Sequence, residues 1–162
     1  LWITSQLEPD AGAADDIAAE GETVFRAIDS PFGLAHCLEG RALICLRLGE
    51  TTRAAAYLQE AVPIVAEGAE HGCTAHALEA VASLMTHLDQ RADAAQLLGA
   101  AEELRRRRGP VHRPWELSSR EHAEGMLAGD DLEAEREAGR TIGFDALIAR
   151  TTELLNRASV TF

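Results

Sequence analysis

The sequence contains two similar stretches that align without a gap. Residues 35–61 read AHCLEGRALICLRLGETTRAAAYLQEA, and residues 75–101 read AHALEAVASLMTHLDQRADAAQLLGAA. They share alanines and leucines at Leu38/Leu78, Ala42/Ala82, Leu48/Leu88, Ala54/Ala94, Leu58/Leu98 and Ala61/Ala101. A fixed period of about 40 residues is the signature of a repeat architecture, in which each unit buries its apolar face against its neighbours.

Each copy is predicted to contain two helices. The apolar residues of 34–48 recur at spacings of three and four, which is the pattern of an amphipathic helix. Gly49 is expected to end this helix because glycine adopts the left-handed backbone of a helix C-terminus at low cost. A second helix is predicted over 51–69, with Pro63 kinking it or marking a local defect. Equivalent helices are expected over 73–88 and 91–108.

The repeat weakens toward both ends of the chain. In the third copy Gly129 keeps the turn and Ala134 keeps one small position, but His122 and Thr141 replace alanine at two others. Helices are expected there over 115–128 and 131–140. We therefore predict one domain over 1–162. It would contain a partial repeat at 1–30 and three repeats at 34–72, 74–109 and 115–141. A last helix at 144–158 would cap the open end of the stack.

Composition favours the same fold class and excludes several functions. The 162 residues are 46% apolar and only 4% aromatic, and alanine and leucine, which are strong helix formers, dominate. These values predict an all-α fold. The net charge is −12, which gives the wrong field for nucleic acid and for anionic membranes. No apolar run approaches the roughly 20 residues of a membrane span. We expect a cytoplasmic protein with no direct nucleic-acid or membrane contact.

The three cysteines do not form a disulfide framework. Cys37, Cys45 and Cys73 are an odd and sparse set. We interpret them as reduced and mostly buried thiols, which is typical of a cytosolic protein.

The small residues of the repeat resemble those of tetratricopeptide repeats. That family has small residues at three set places of a helix–turn–helix, matched here by the alanines at 42, 54 and 61 and again at 82, 94 and 101. The family repeat is shorter, at about 34 residues. The extra residues of the present repeat fall between the second helix and the next copy.

The longer repeat is similar to the C-terminal helical regions of large bacterial regulators, especially actinobacterial ones. Residues 91–105 read RADAAQLLGAAEELR, which resembles the run RAARLLGAAEALR typical of those proteins. The likeness covers roughly 33–157. It implies an antiparallel helix-pair solenoid that forms the sensing or interaction part of a transcriptional regulator, joined to ATPase and DNA-binding or cyclase modules. Because the chain opens at Leu1 without a methionine, we expect it to be part of such a longer protein.

A candidate groove follows from the polar residues that repeat with the same period. His36 and Glu39 are equivalent to His76 and Glu79, and Arg47 is equivalent to His87. In the tetratricopeptide family such places face the concave groove, so the resemblance implies a site for a protein, a peptide, a small-molecule effector or another domain of the parent chain. Glu39 and Glu79 would favour a basic or amphipathic partner. The alternative is a solvated polar face without a ligand.

Two other clusters favour structural interpretations. His71, Cys73 and His76, with Cys37 one helix away, offer nitrogen and sulfur ligands for zinc. Their spacing matches no known zinc finger, so we expect no metal and no cofactor. The run Arg105–Arg108 would suit a nucleic-acid patch, but it also lies at a helix C-terminus, where the dipole favours cations.

No motif in the sequence predicts an enzyme. A phosphate-binding GxxxxGK[ST] loop cannot form because the chain has no lysine, and HExxH, GxSxG and CxxC are also absent from the sequence. We therefore expect a non-catalytic domain. A scaffold that binds only proteins is one alternative, and an enzyme using the His/Glu face for acid–base chemistry is another. An apolar repeat face exposed at the start of the chain would favour a homodimer.

Overall fold

The described part of the chain is all-helical. The computed structural model describes residue 8 and residues 10–68, 71–108 and 118–160, and among these residues no strand occurs. The helices are α1 (Ala11–Ala27), α2 (Pro31–Arg47), α3 (Thr51–Glu67), α4 (His71–His87), α5 (Arg91–Arg108), α6 (Ser118–Met126), α7 (Glu133–Thr141) and α8 (Phe144–Ala158). The all-α prediction is confirmed.

The first five helices follow a regular spacing. They begin at positions 11, 31, 51, 71 and 91, so that successive helices start at equal intervals and every second helix starts one sequence repeat later. The turn after α2 closes with the Glu50 N–H donating to the Cys45 carbonyl at 2.8 Å, and the turn after α4 closes with Gln90 donating to Met85 at 2.9 Å. These are the six-to-one hydrogen bonds of a Schellman motif.

Left-handed residues stand at the centres of these turns. Gly49 has a φ of 77°, as predicted, and Asp89 and Gly129 have φ values of 57° and 92° at the equivalent positions of the next two copies. Aspartate, found at position 89, is one of the few residue types other than glycine that adopt this left-handed backbone. The chain therefore reverses in the same way after α2 and α4. The turn after α6 keeps the left-handed residue, but there Asp130 donates to the Leu127 carbonyl at 3.2 Å.

The core lies between the paired helices. α2 packs along α3, α4 packs along α5, and α4 also contacts α2, α3 and α6. The six alanines that define the repeat are fully or almost fully buried, and so are the leucines at 38, 58, 78 and 98. Small side chains at these positions let the helix backbones approach closely, and the leucines fill the remaining space.

The structure places Pro63 and the three cysteines, for which the sequence made local predictions. α3 continues through Pro63, whose side chain is exposed, and ends at Glu67. All three cysteines are free thiols, with Cys37 and Cys45 buried and Cys73 partly buried. Burial raises the pKa of the Cys37 and Cys45 thiols to about 11, so both are protonated at neutral pH.

The third copy is shorter than the first two, and among the described residues α6 and α7 pack on the second pair and not along each other. α6 and α7 have nine residues each, and the predicted start of α6 at 115–117 lies outside the described residues. α7 packs closely on α5. His122, which occupies the repeat position of Ala42 and Ala82, is exposed, and the neighbouring Ala123 is buried instead. The repeat thus slips by one residue in α6.

The last helix differs from the predicted cap. α8 spans the predicted residues, but its backbone lies closest to α3. Its apolar stripe joins the core, Gln59 donates to Asn156 at 3.0 Å, and Arg150 pairs with Asp93 at 2.6 Å. The stripe therefore covers the flank of the second helices and does not close the end of the stack. No helix among the described residues is long and apolar enough to cross a bilayer.

Candidate functional site

The six predicted site residues lie in three separate places. His36, Glu39 and His76 form one buried cluster, Glu79 pairs with Arg105 elsewhere in the core, and Arg47 and His87 line a surface cavity. The expectation that Glu39 and Glu79 face an open groove is wrong, because both side chains are buried. A repeated position on the first helix thus carries a buried carboxylate in both copies. Glu39 lies against His36 and His76, whereas Glu79 pairs with Arg105.

The cluster of His36, Glu39 and His76 joins α2 to α4. The Nδ1 atom of His36 lies 3.0 Å from Oε2 of Glu39, and the Nδ1 atom of His76 lies 2.6 Å from the same oxygen. Both imidazoles therefore donate to one carboxylate oxygen. The two rings meet edge to face, with centroids 5.8 Å apart. Cys73 completes the surroundings, since its Sγ lies 3.8 Å from Nε2 of His36.

Burial and charge act against each other in this cluster. Burial opposes the ionisation of Glu39, but His76 and His36 outweigh it and hold the pKa of Glu39 well below its ordinary value. Burial likewise opposes protonation of His36, but its contacts with Cys73 and Glu39 raise its pKa. Glu39 is therefore an ionised carboxylate inside the protein. Its other oxygen, Oε1, is buried and has no hydrogen-bond partner among the described residues.

Glu79 and Arg105 form a buried ion pair between α4 and α5. The guanidinium donates through its Nε and one terminal nitrogen to the two carboxylate oxygens, at 2.7 and 2.6 Å. Only 1% of the Glu79 side chain and 5% of the Arg105 side chain are exposed. Arg105, the first residue of the predicted cationic run, therefore lies in the core. Arg106 and Arg107 are exposed and pair with Glu103 on their own helix.

A cavity of about 200 Å³ opens where the first helices of the three pairs meet. The apolar part of its lining comes from α2 and is called the floor below. The polar part comes from the end of α2, from α4 and from α6 and is called the rim. A ligand in this cavity would therefore contact all three pairs at once. The lining residues are Leu43, Ile44, Leu46 and Arg47 of α2, His87 of α4, and Ser119 and His122 of α6.

The two histidines of the rim are stacked. The rings of His87 and His122 lie 5.1 Å apart at an interplanar angle of 18°. Nδ1 of His87 donates to the carbonyl of Ser83 at 2.9 Å, which fixes its ring. Burial and the neighbouring His87 lower the pKa of His122. His122 is therefore neutral at pH 7, and the polar rim can both donate and accept hydrogen bonds.

The sequence identified only part of the cavity and of the buried pairs. Arg47 and His87 were identified by their matching places in the repeat, whereas His122 and Ser119 lie in the copy where the repeat has decayed. Arg105 was noted only as part of a cationic run. No sequence signal marked it as the partner of a buried glutamate.

The nitrogen and sulfur set weighed for zinc is only partly assembled. Cys37 is buried, the His71 side chain lies outside the described residues, and His76 lies against Glu39. His36 and Glu39 were not predicted to join that set, although both lie at the contact between α2 and α4.

No family model, no curated protein and no solved structure matches this chain. The likeness to tetratricopeptide regions of bacterial regulators therefore rests on the quoted sequence patterns. The function has to be argued from the geometry of the cavity and of the buried polar clusters.

Proposed function

We propose that this chain is a non-catalytic binding domain of tetratricopeptide type. It would serve as the protein-interaction or effector-sensing part of a larger cytoplasmic bacterial transcriptional regulator. The observation that carries this proposal is the cavity shared by α2, α4 and α6, because it brings together the first helices of three successive pairs around one amphipathic opening. Concave sites formed by several elements are the usual places for ligands.

Three features that recur with the period of the sequence repeat support the solenoid. The left-handed turns recur at 49, 89 and 129, the buried glutamates recur at 39 and 79, and the glycines at 99 and 139 both face a neighbouring second helix. In a solenoid each unit contacts only its neighbours, so the same positions recur at the contacts between units even where their partners differ, as at Glu39 and Glu79. The proposed repeat is therefore one helix pair.

The lining of the cavity indicates the chemistry of the partner. The floor of Leu43, Ile44 and Leu46 would bury an apolar group, while Arg47 and the two stacked histidines would contact a polar or anionic end. A cavity of about 200 Å³ is small beside typical ligand pockets of about 300–1,000 Å³. It would hold a small effector or one large side chain of a partner protein.

A ligand in this cavity would act on the stack as a whole. It would touch three helices that are joined only through their neighbours, so binding would favour one relative orientation of the pairs. Small rotations between pairs add up along a solenoid, which gives the parent protein a means of sensing occupancy. Glu39 and Glu79 are buried and engaged by His76 and Arg105, which supports a non-catalytic role.

A pure protein-binding scaffold is the second candidate, and one surface feature favours it. Large apolar side chains are exposed around the turn between α1 and α2: Val24, Ile28 and Phe32. Exposed apolar groups that lie together mark protein-binding surfaces. In that case a partner would dock on this surface and the cavity would remain without a small ligand.

A thermal-stability screen with a matched pair of variants tests the proposal. Leu43→Trp would fill the cavity, whereas Leu48→Trp adds the same side chain at an exposed position outside it. A compound present at 100 times its dissociation constant adds about 2.7 kcal/mol to the free energy of unfolding. We expect small amphipathic compounds with an anionic or polar end to stabilise the wild type and Leu48→Trp but not Leu43→Trp. Equal stabilisation of both variants would contradict the cavity assignment.

A further inference from the structure

Three potential metal ligands converge at the contact between α2 and α4. His36, Glu39 and His76 each offer a ligand atom, and these atoms lie within 4.8 Å of one another. The histidine Nδ1 atoms lie 3.0 and 2.6 Å from the same Glu39 oxygen. We propose that these three residues bind a divalent transition-metal ion, with zinc as the best fit. This site is separate from the cavity and does not rest on the function proposed for it.

The distances suit a zinc ion after small side-chain adjustments. Zinc forms bonds of about 2.0–2.1 Å to imidazole nitrogen and carboxylate oxygen, so its tetrahedral ligands lie about 3.3 Å from one another. The observed separations of 3.0 and 2.6 Å are about 0.3 and 0.7 Å shorter than this value. Zinc needs the lone pairs of both Nδ1 atoms, so the protons that these nitrogens donate to Glu39 are released to solvent as the ion binds. Small side-chain rotations of His36 and His76, whose rings meet edge to face, would then open the space.

The unpaired oxygen of Glu39 points to a missing partner. Glu39 is fully buried, its Oε2 accepts both imidazole N–H groups, and its Oε1 has no hydrogen-bond partner among the described residues. A buried carboxylate oxygen without a partner is costly. The two histidines alone leave this oxygen unsatisfied, whereas an ion held by both oxygens of the Glu39 carboxylate would give Oε1 a partner as well.

The surroundings resemble the outer contacts of metal-bound histidines. Cys73 Sγ lies near Nε2 of His36, on the ring edge opposite the proposed ion. A histidine that binds metal through one nitrogen usually holds its other nitrogen in a hydrogen bond, and this contact fixes the ring. Cys73 is therefore assigned as a positioning residue and not as a ligand.

The ligand set favours zinc over other divalent ions, and the site can be reached from solvent. Two imidazoles and one carboxylate suit zinc, whereas magnesium and calcium prefer oxygen ligands throughout. A quarter of the His36 side chain is exposed, while His76 and Glu39 are buried. An ion can therefore enter past His36, and a water molecule can take the fourth position. Binding would fix α2 against α4, the first helices of successive pairs.

The test first strips the purified chain with a chelator, then adds zinc chloride, and measures the zinc that stays bound to the chain once unbound zinc is removed. We expect one zinc ion per chain for the wild type and for Glu60→Gln, a matched control at an exposed glutamate that pairs with Arg26. His76→Gln and Glu39→Gln should each weaken zinc binding more than about tenfold, and Cys73→Ser should weaken it less than either. The proposal is wrong if the wild type retains no zinc, or if both ligand variants bind zinc as the wild type does.

Two further measurements keep the outcome clear. Circular dichroism in the presence of chelator shows whether His76→Gln and Glu39→Gln fold. If they do not, X-ray absorption on the zinc-loaded wild type replaces them. We expect two imidazole ligands and light-atom neighbours without sulfur. Sulfur coordination, or zinc binding that depends on His71 and not on Glu39, would assign the ion to the alternative set and overturn the proposal.

Discussion

Gly99 of α5 and Gly139 of α7, which occupy equivalent places in successive repeats, lie where the backbones of the two helices touch. A Cβ atom at Gly99 would lie 2.0 Å from the carbonyl oxygen of Arg136, and one at Gly139 would lie 1.9 Å from that of Gln96. These are backbone contacts, which cannot yield as a flexible side chain can. The second helices α5 and α7 are thus in direct contact at the repeat position, and α7 is held to the second pair by this contact.

Gly139→Ala should therefore destabilise the protein. The added methyl group would force α7 away from α5, and overpacking of this kind costs about 1–3 kcal/mol or more. Urea unfolding measures the loss. Gly125→Ala in α6 is the matched control, because nothing lies within 4 Å of its Cβ position. That change should leave the free energy of unfolding unchanged or raise it by up to about 1 kcal/mol. Equal effects of the two substitutions would contradict the close contact.

The fold was largely predictable because the repeat and the apolar periodicity report directly on burial. The alanines at 42, 54, 82 and 94 are buried as expected, and Gly49 has the expected left-handed backbone. The path of α8 was not predictable, since an amphipathic helix shows that it has an apolar face but not which neighbour covers it. Around His122 the 40-residue repeat is no longer conserved in the sequence, so the alignment could not predict which residues of α6 are buried.

The site was less predictable, for an electrostatic reason. A charged residue in a helical pattern is ordinarily assigned to solvent, because burying a lone carboxylate is costly. Glu39 and Glu79 are buried because His76 and Arg105, from other helices, form hydrogen bonds with their carboxylates. Such pairs are visible only when the packing of the helices is known. The sequence could identify the residues by their repetition, but not the partners that place them inside.

The Glu79–Arg105 pair offers a test of the packing between α4 and α5. Removing one member leaves an uncompensated buried charge, so Glu79→Leu or Arg105→Met alone should each lower the free energy of unfolding by about 3–5 kcal/mol. The double variant should lose clearly less than the sum of the two. Strictly additive losses in urea unfolding would show that the pair is not coupled. Arg106→Met removes an exposed cation on the same helix and should cause no measurable change.

The acid stability of the protein should depend on Arg41, which joins α2 to α1. Arg41 donates to Asp15 at 2.8 Å and to Glu22 at 2.7 Å. Burial opposes ionisation of both carboxyls, but the contacts with Arg41 outweigh it and lower the pKa of each below its ordinary value of 3.8 or 4.5. The unfolded chain therefore binds more protons in acid. Their contribution to stability is present above about pH 4.5 and is lost as the pH falls below it.

Urea unfolding between pH 6 and pH 3 checks this dependence. The wild type should lose stability over this range, and Arg41→Gln should start from a lower free energy of unfolding and lose less of it. Asp15→Asn combined with Glu22→Gln should flatten the pH dependence in the same way. Parallel curves for the wild type and Arg41→Gln would show that these carboxyls do not depend on Arg41.

The packing of α8 on α3 predicts that a core substitution in α8 strongly lowers the free energy of unfolding. Leu155 of α8 is 1% exposed and belongs to the main core. Leu155→Ala should therefore lower the free energy of unfolding by about 2–5 kcal/mol. Leu48→Ala, at a residue that is 49% exposed, should cost much less. A small loss for Leu155→Ala would mean that α8 does not pack as part of the core.

The measurement that tests the binding function most directly is methyl NMR of the protein during titration with a library of small amphipathic compounds. The methyl groups of Leu43, Ile44 and Leu46 report on the cavity, and those of Leu97 and Leu98, buried in α5, serve as the reference. We expect binding compounds to shift the three cavity residues and to leave the reference residues nearly unchanged. Compounds that bind while Leu43, Ile44 and Leu46 stay unshifted would contradict the assignment of this cavity as the binding site.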